Sequence, residues 1–161
     1  MSLTDDNHRI RPATERDIPA IAAIDARITG AAKDSYWREM FDRFGNRPDR
    51  YFLLSDSAGR VDAYIAGEVR AWEFGSPPCG WVFAIGTDPD ARQRKVASRL
   101  FAAICDAFKD RGVDTVRTMI AREDELIMSF FRSQGMMAGP FVQLEMPIDE
   151  AWPADDPEAD T

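Results

Sequence analysis

The chain has 161 residues, 45% of them apolar and 30% charged, with 28 acids against 20 bases and a formal charge of −8. That is the size and mix of one ordinary globular domain, and it excludes wholesale disorder. The acidic balance argues against nucleic acid as a partner. The longest strictly apolar run, Leu100–Cys105, falls far short of the ~20 residues that cross a bilayer.

His8–Arg11 reads as a short strand closed by Pro12. Asp17 caps a first helix, since Pro19 is tolerated only in a first turn, and Gly30 stops it. Ser35 is the expected cap of a second helix striped with Trp37, Met40, Phe41 and Phe44. Tyr51–Ser55 is a compact strand. Residues 60–72 then alternate, with Val61, Ala63, Ile65, Gly67 and Val69 on one face and Asp62, Tyr64, Glu68, Arg70 and Trp72 on the other.

Gly80–Thr87 is apolar on both faces, as a strand covered by helices on each side would be. Asp88-Pro89 ends it. A long helix follows, with Val96, Leu100, Ile104 and Phe108 inward and Gly112 past its end. Val113–Ile120 is a further strand, Glu123–Gln134 a helix carrying Phe130 and Phe131, and Phe141–Pro147 a final alternating strand. Residues 1–150 form a single α/β domain on this reading, and 151–161 an acidic, poorly ordered tail. The N-terminus has no basic flank and no apolar stretch of signal length, so the expected location is cytoplasmic. Cys79 and Cys105 lack CxxC spacing and a neighbouring histidine, so they read as reduced core thiols and no metal is expected. His8 is expected either at the surface or at a strand start.

One local exception to the acidic chain is chemically informative. In AIGTDPDARQRKVASRL, Arg92, Arg94, Lys95 and Arg99 fall between a buried strand and the first turn of a helix. Free amides and the positive end of the helix dipole make such a place an anion site, and the basic side chains suit a diphosphate. Neither GxxxxGK[ST] nor GxGxxG is present.

The same segment resembles the acyl-CoA pyrophosphate loop of the GNAT superfamily of N-acetyltransferases, [QR]-x-x-G-x-[GA]. Arg92 takes its first place and Ala97 its last, with Pro89 upstream and Leu100 one turn on. DELIMSFFRSQGM is similar to that family's N-x-x-A-x-x-F-Y-x-x-x-G-F helix. The resemblance implies a GNAT fold, a mixed sheet of six to seven strands with helices on both faces. It also implies acetyl-CoA as co-substrate and direct transfer of the acetyl group to a small-molecule or peptide amine, with room for a homodimer. Ile85, Gly86, Thr87, Arg92, Gln93, Arg94, Lys95, Val96, Ala97, Ser98, Asp124 and Phe131 would then contact the cofactor. The backbone N–H of Ile85 would polarise the thioester carbonyl.

An ammonium acceptor must first lose a proton, and the candidate bases are Glu68 and Glu73. Glu68 is preferred because it shares a strand face with Tyr64; its alternative is to partner Arg70. Trp72 and Phe74 are candidates to line the acceptor pocket. Two departures stand out. Lys95 occupies the place of the first loop glycine, so it either adopts positive φ and offers its ammonium or hinders the ligand. Phe131 stands where relatives carry the tyrosine that protonates the departing thiolate, leaving Tyr36, Tyr51, Tyr64 or solvent to do so. Both departures are what a non-catalytic acyl-CoA-binding module would show, the alternative to an enzyme.

Overall fold

The computed structural model describes residues 8–71 and 73–148, apart from the side chains of Gln93 and Arg94. Expectations about Trp72, those two side chains and the 151–161 tail therefore lie outside the described residues. The chain divides into two compact units, one running to Glu125 and the other beginning at Leu126.

The first unit is built on a five-stranded sheet in the order β1-β2-β3-β4-β5. The strands are β1 (His8–Pro12), β2 (Arg50–Ser57), β3 (Arg60–Arg70), β4 (Cys79–Thr87) and β5 (Val116–Thr118). The first four pair antiparallel, and β4 pairs parallel with β5. Helices α1 (Ile18–Thr29) and α2 (Asp34–Phe44) cover one face. Ile18, Ile21, Ile24 and Trp37 there form one core with Phe52, Leu54, Tyr64 and Ala66. Helix α3 (Val96–Asp110) covers the other face, its Ile104 and Phe108 closing on Gly67 of β3. Adjacent strand residues point to opposite faces, which explains why 62–67 are buried without a break.

Several boundaries are decided by tertiary partners. The α2 cap is Lys33, whose ammonium lies 3.4 Å from Asp25 Oδ2, and not Ser35. Trp37 Nε1 donates to the same carboxylate at 3.1 Å. His8 is no surface residue: its Nδ1 lies 2.8 Å from Asp62 Oδ2, and both side chains are nearly buried. Two glycines admit rings that a side chain would exclude. A Cβ at Gly80 would lie 2.3 Å from Phe108 Cδ2, and one at Gly86 would lie 2.5 Å from the Tyr64 hydroxyl.

Among the described residues the sheet has five strands, fewer than the six to seven expected. β5 is three residues long instead of eight, and Phe141–Pro147 joins no strand among the described residues. Alternation specifies which face of a strand is apolar, but it does not supply a partner edge. In the second unit, α4 (Glu125–Ser133, reaching back one residue into the first) carries Phe131, buried and edge-on to Phe130 at 5.2 Å. Val142, Leu144 and Met146 are exposed.

Candidate active site

The site is organised by a defect in β4. Ala66 lies opposite Ala84 and Gly67 opposite Val82, so Phe83 is an extra residue that bends the strand. Pairing with β5 ends at the same point, at Val82 opposite Thr118. Thr118 Oγ1 donates to the Val82 carbonyl at 2.7 Å, taking the acceptor a continuing strand would have used. From Phe83 to Thr87 the β5 side of β4 has no strand partner among the described residues.

Backbone direction alternates along a strand, so the exposed amides on that edge can be identified. Asp88 N–H donates to the Asp62 carbonyl at 2.7 Å, toward β3. Stepping back in register, Gly86 and Ala84 also turn toward β3. Ile85 and Thr87 therefore direct their N–H and C=O groups to the open edge. Gly86 itself is the seat of the Tyr64 ring.

Beyond β4, Pro89–Arg94 forms a 3-10 turn and Lys95 joins it to α3. Lys95 has φ 55° and ψ 26°, the left-handed region. The lysine thus keeps the conformation of the glycine it replaces, at a cost of about 1 kcal/mol. Arg92 and Lys95 are exposed, Val96 is buried against the sheet side, and Ala97 and Ser98 are half-buried in the first turn of α3. Nothing in the α3 first turn is acidic. A helix-dipole end and exposed cations coincide there. Asp124 stands immediately ahead of α4, its N–H bonded to the Ala121 carbonyl at 3.0 Å. Phe131 belongs to the second unit.

The two candidate bases lie toward the other end of β4. Glu68 faces Trp81 across the ladder, with Arg70 Nε 3.0 Å from one carboxylate oxygen and Arg50 Nε 3.7 Å from the other. Arg70 also lies over the Trp81 ring at 4.5 Å. Glu73 is more exposed, and its one ion-pair partner among the described residues is Arg70 at 3.7 Å. Phe74 is fully exposed, with φ 47°. Of the tyrosines, Tyr36 is exposed on α2 and Tyr51 directs its hydroxyl to the Ala107 carbonyl at 3.5 Å. Tyr64 is buried beside β4, and burial pushes its phenol well above the usual value, so it stays protonated.

Two groups escaped the sequence reading. Asp88 is buried and clasped by Arg27 and Arg60, and Glu68 is clasped by Arg50 as well as Arg70. The dipeptide Asp88-Pro89 is a local cap signal, but its arginine partners lie 61 and 28 positions away, where no local pattern reaches.

Comparison with known proteins agrees with this geometry. The acetyltransferase (GNAT) family model matches residues 18–136. No curated protein sequence matches the chain. Among solved structures it is similar to the aminoglycoside N-acetyltransferase AAC(6')-Iy in complex with CoA, with TM-score 0.77 and 15% identity over 91% of this chain and 99% of that one. It is similar also to the aminoglycoside 6'-N-acetyltransferase AAC(6')-Ih from Acinetobacter baumannii (TM-score 0.74, 16% identity, 88% and 99% covered). A transcriptional regulator from Bacillus halodurans C-125 shares the fold too (TM-score 0.72, 16% identity, 88% and 99% covered). With its open β4 edge and basic turn, the chain belongs to the acetyltransferase (GNAT) family, whose reaction is transfer of the acetyl group of acetyl-CoA to an amine.

Proposed function

We propose that the protein acetylates a small polycationic amine, with the CoA diphosphate over the amides of residues 93–98 and the thioester against the open edge of β4. The observation that carries this is the left-handed Lys95 between a basic turn and a first turn of α3 that carries no acid. A polycationic acceptor is supported by the formal charge of −8, and by the aminoglycoside acetyltransferases among the structural neighbours.

The chemistry follows from the groups described. The Ile85 N–H stabilises the oxyanion that forms when the amine attacks the thioester carbonyl. Glu73, whose carboxylate has one distant partner, accepts the ammonium proton, directly or through water. Glu68, clasped by two arginines, would have to surrender them first and instead orients Arg70. Tyr64, a protonated phenol beside Gly86, returns a proton to the departing thiolate in place of Phe131. The protein is expected to act in the cytoplasm, without a metal.

Thermal-shift titration with acetyl-CoA, CoA and dephospho-CoA tests the cofactor assignment. Ligand at 100 times Kd stabilises by about 2.7 kcal/mol. Charge reversal of Arg92 and Arg94 together should abolish the shift; an undiminished shift overturns the assignment. Thiol release from acetyl-CoA over a panel of aminoglycosides and polyamines tests the acceptor. The missing hydroxyl of Phe131 favours one other reading, a CoA-binding module without activity. It predicts tight CoA binding and no thiol release with any amine.

A further inference from the structure

Asp88 is the last residue before the basic turn, and its carboxylate is nearly enclosed, at 4% residue exposure. Every polar group it has is engaged. Its N–H donates to Asp62 O at 2.7 Å and its carbonyl accepts from Ala91 N–H at 2.8 Å. Its Oδ1 accepts from Asp90 N–H at 2.9 Å. Arg27 Nη1, from α1, donates to both carboxylate oxygens at 2.9 and 2.8 Å. Arg60 Nη2, from the start of β3, adds a contact at 3.1 Å. Arg27 reaches on to Asp90 Oδ2 at 3.0 Å. Burial opposes the charge on Asp88, yet the Asp90 amide and the two guanidiniums together hold its carboxyl below the ordinary value.

We propose that Asp88 is a positioning residue for the cofactor: it fixes the shape of the 89–95 turn by tying it to α1 and β3, and because its charge is spent on Arg27 and Arg60 it does not draw the turn's own cations away from phosphate. This rests on the CoA reading above. The physical case is one of geometry and charge. The turn leads into a left-handed Lys95, a conformation that persists only where its surroundings over-determine it. Asp88 anchors the first residues of that turn by both side chain and backbone. Replacing its charge would leave Arg27 and Arg60 only the exposed Asp90 to hold them and the turn to α1 and β3.

Substitution of Asp88→Asn, with Asp88→Glu and Asp17→Asn as companions, tests the assignment. Asp17 is a comparable acid paired with Arg11 at 2.8 Å, so Asp17→Asn reports general loss of stability. In the ligand-free protein, Asp88→Asn should speed amide exchange at residues 90–95 by about tenfold, and calorimetry should show CoA binding weakened by about tenfold, as loss of a charge-assisted cap implies. Asp88→Glu should recover part of both, and Asp17→Asn should change neither while lowering Tm. A CoA Kd within twofold of wild type in Asp88→Asn would overturn the proposal, as would an equal loss in Asp17→Asn. Should Asp88→Asn fail to fold, Arg27→Ala carries the same expectations in milder form. A wild-type chain that does not bind CoA overturns the functional reading itself; amide exchange in the ligand-free protein reads Asp88 separately.

Discussion

At the C-terminal end of β4 the acid, Asp88, is buried and spends its charge on arginines from α1 and β3, while Arg92 and Lys95 face solvent. At the N-terminal end the pattern is inverted. There Arg50 and Arg70 are drawn onto Glu68, and what remains outward is the carboxylate of Glu73 and the ring of Phe74. One strand therefore presents exposed cations at one end and an exposed, loosely paired acid at the other. The difference teaches that charge composition says little about a site until the internal pairs have been subtracted. The residual cations suit phosphate and the residual acid suits an ammonium.

The largest expected effect compares the two glycines that seat rings at these ends. Gly80→Ala drives a Cβ into the body of the Phe108 ring, at 2.3 Å from Cδ2 and 2.6 Å from Cγ. It should cost about 3 kcal/mol, the upper part of the usual range for overpacking. Gly86→Ala meets only the far end of Tyr64, which can tilt, and should cost about half as much. Urea denaturation of both variants checks the order; equal losses would show that β4 is no stiffer at one end than the other.

Next is an acid effect at the start of α1, the end of that helix away from Arg27. The Arg11 guanidinium, opposed by burial and aided by Thr14, lowers the Asp17 carboxyl from 3.8 to about 2. The folded value lies below the unfolded one, so the stabilisation is complete above about pH 5 and disappears as pH falls through about 2. It amounts to about 2 kcal/mol. Denaturation at pH 5 and pH 2.5 should show this loss in wild type and much less of it in Asp17→Asn.

At the opposite end, Glu73→Gln should lower kcat/KM at least tenfold on a responsive amine, less than the roughly hundredfold or more of a full general-base effect because water can take the proton in its place. Glu68→Gln should alter the amine KM more than the pH profile, because it releases Arg70 without removing the base. A flattened pH profile in Glu68→Gln alone would exchange their roles. The smallest effect is at Lys95. Lys95→Gly should raise stability by about 1 kcal/mol by relieving the positive φ. Lys95→Ala should weaken CoA binding by about tenfold through the lost charge, and Lys95→Gly by less. Tighter CoA binding by Lys95→Gly than by wild type would mark the lysine as an obstacle.

The sequence by itself determined the elements whose signals are local. The α1 cap and its Gly30 stop, the apolar β4, the stripe of α3 and the basic turn are all where periodicity, proline and glycine place them. The basic turn was legible because its cations and the helix start they precede are contiguous in the chain. What only the tertiary structure decided are pairings between distant residues: His8 with Asp62, Asp88 with Arg27 and Arg60, and Glu68 with Arg50. The strand count belongs with them, since alternation over Phe141–Pro147 names a face while pairing requires an available edge. Helix caps and turns are written in neighbouring residues, whereas ion pairs and ladders exist only once the chain has brought remote residues together.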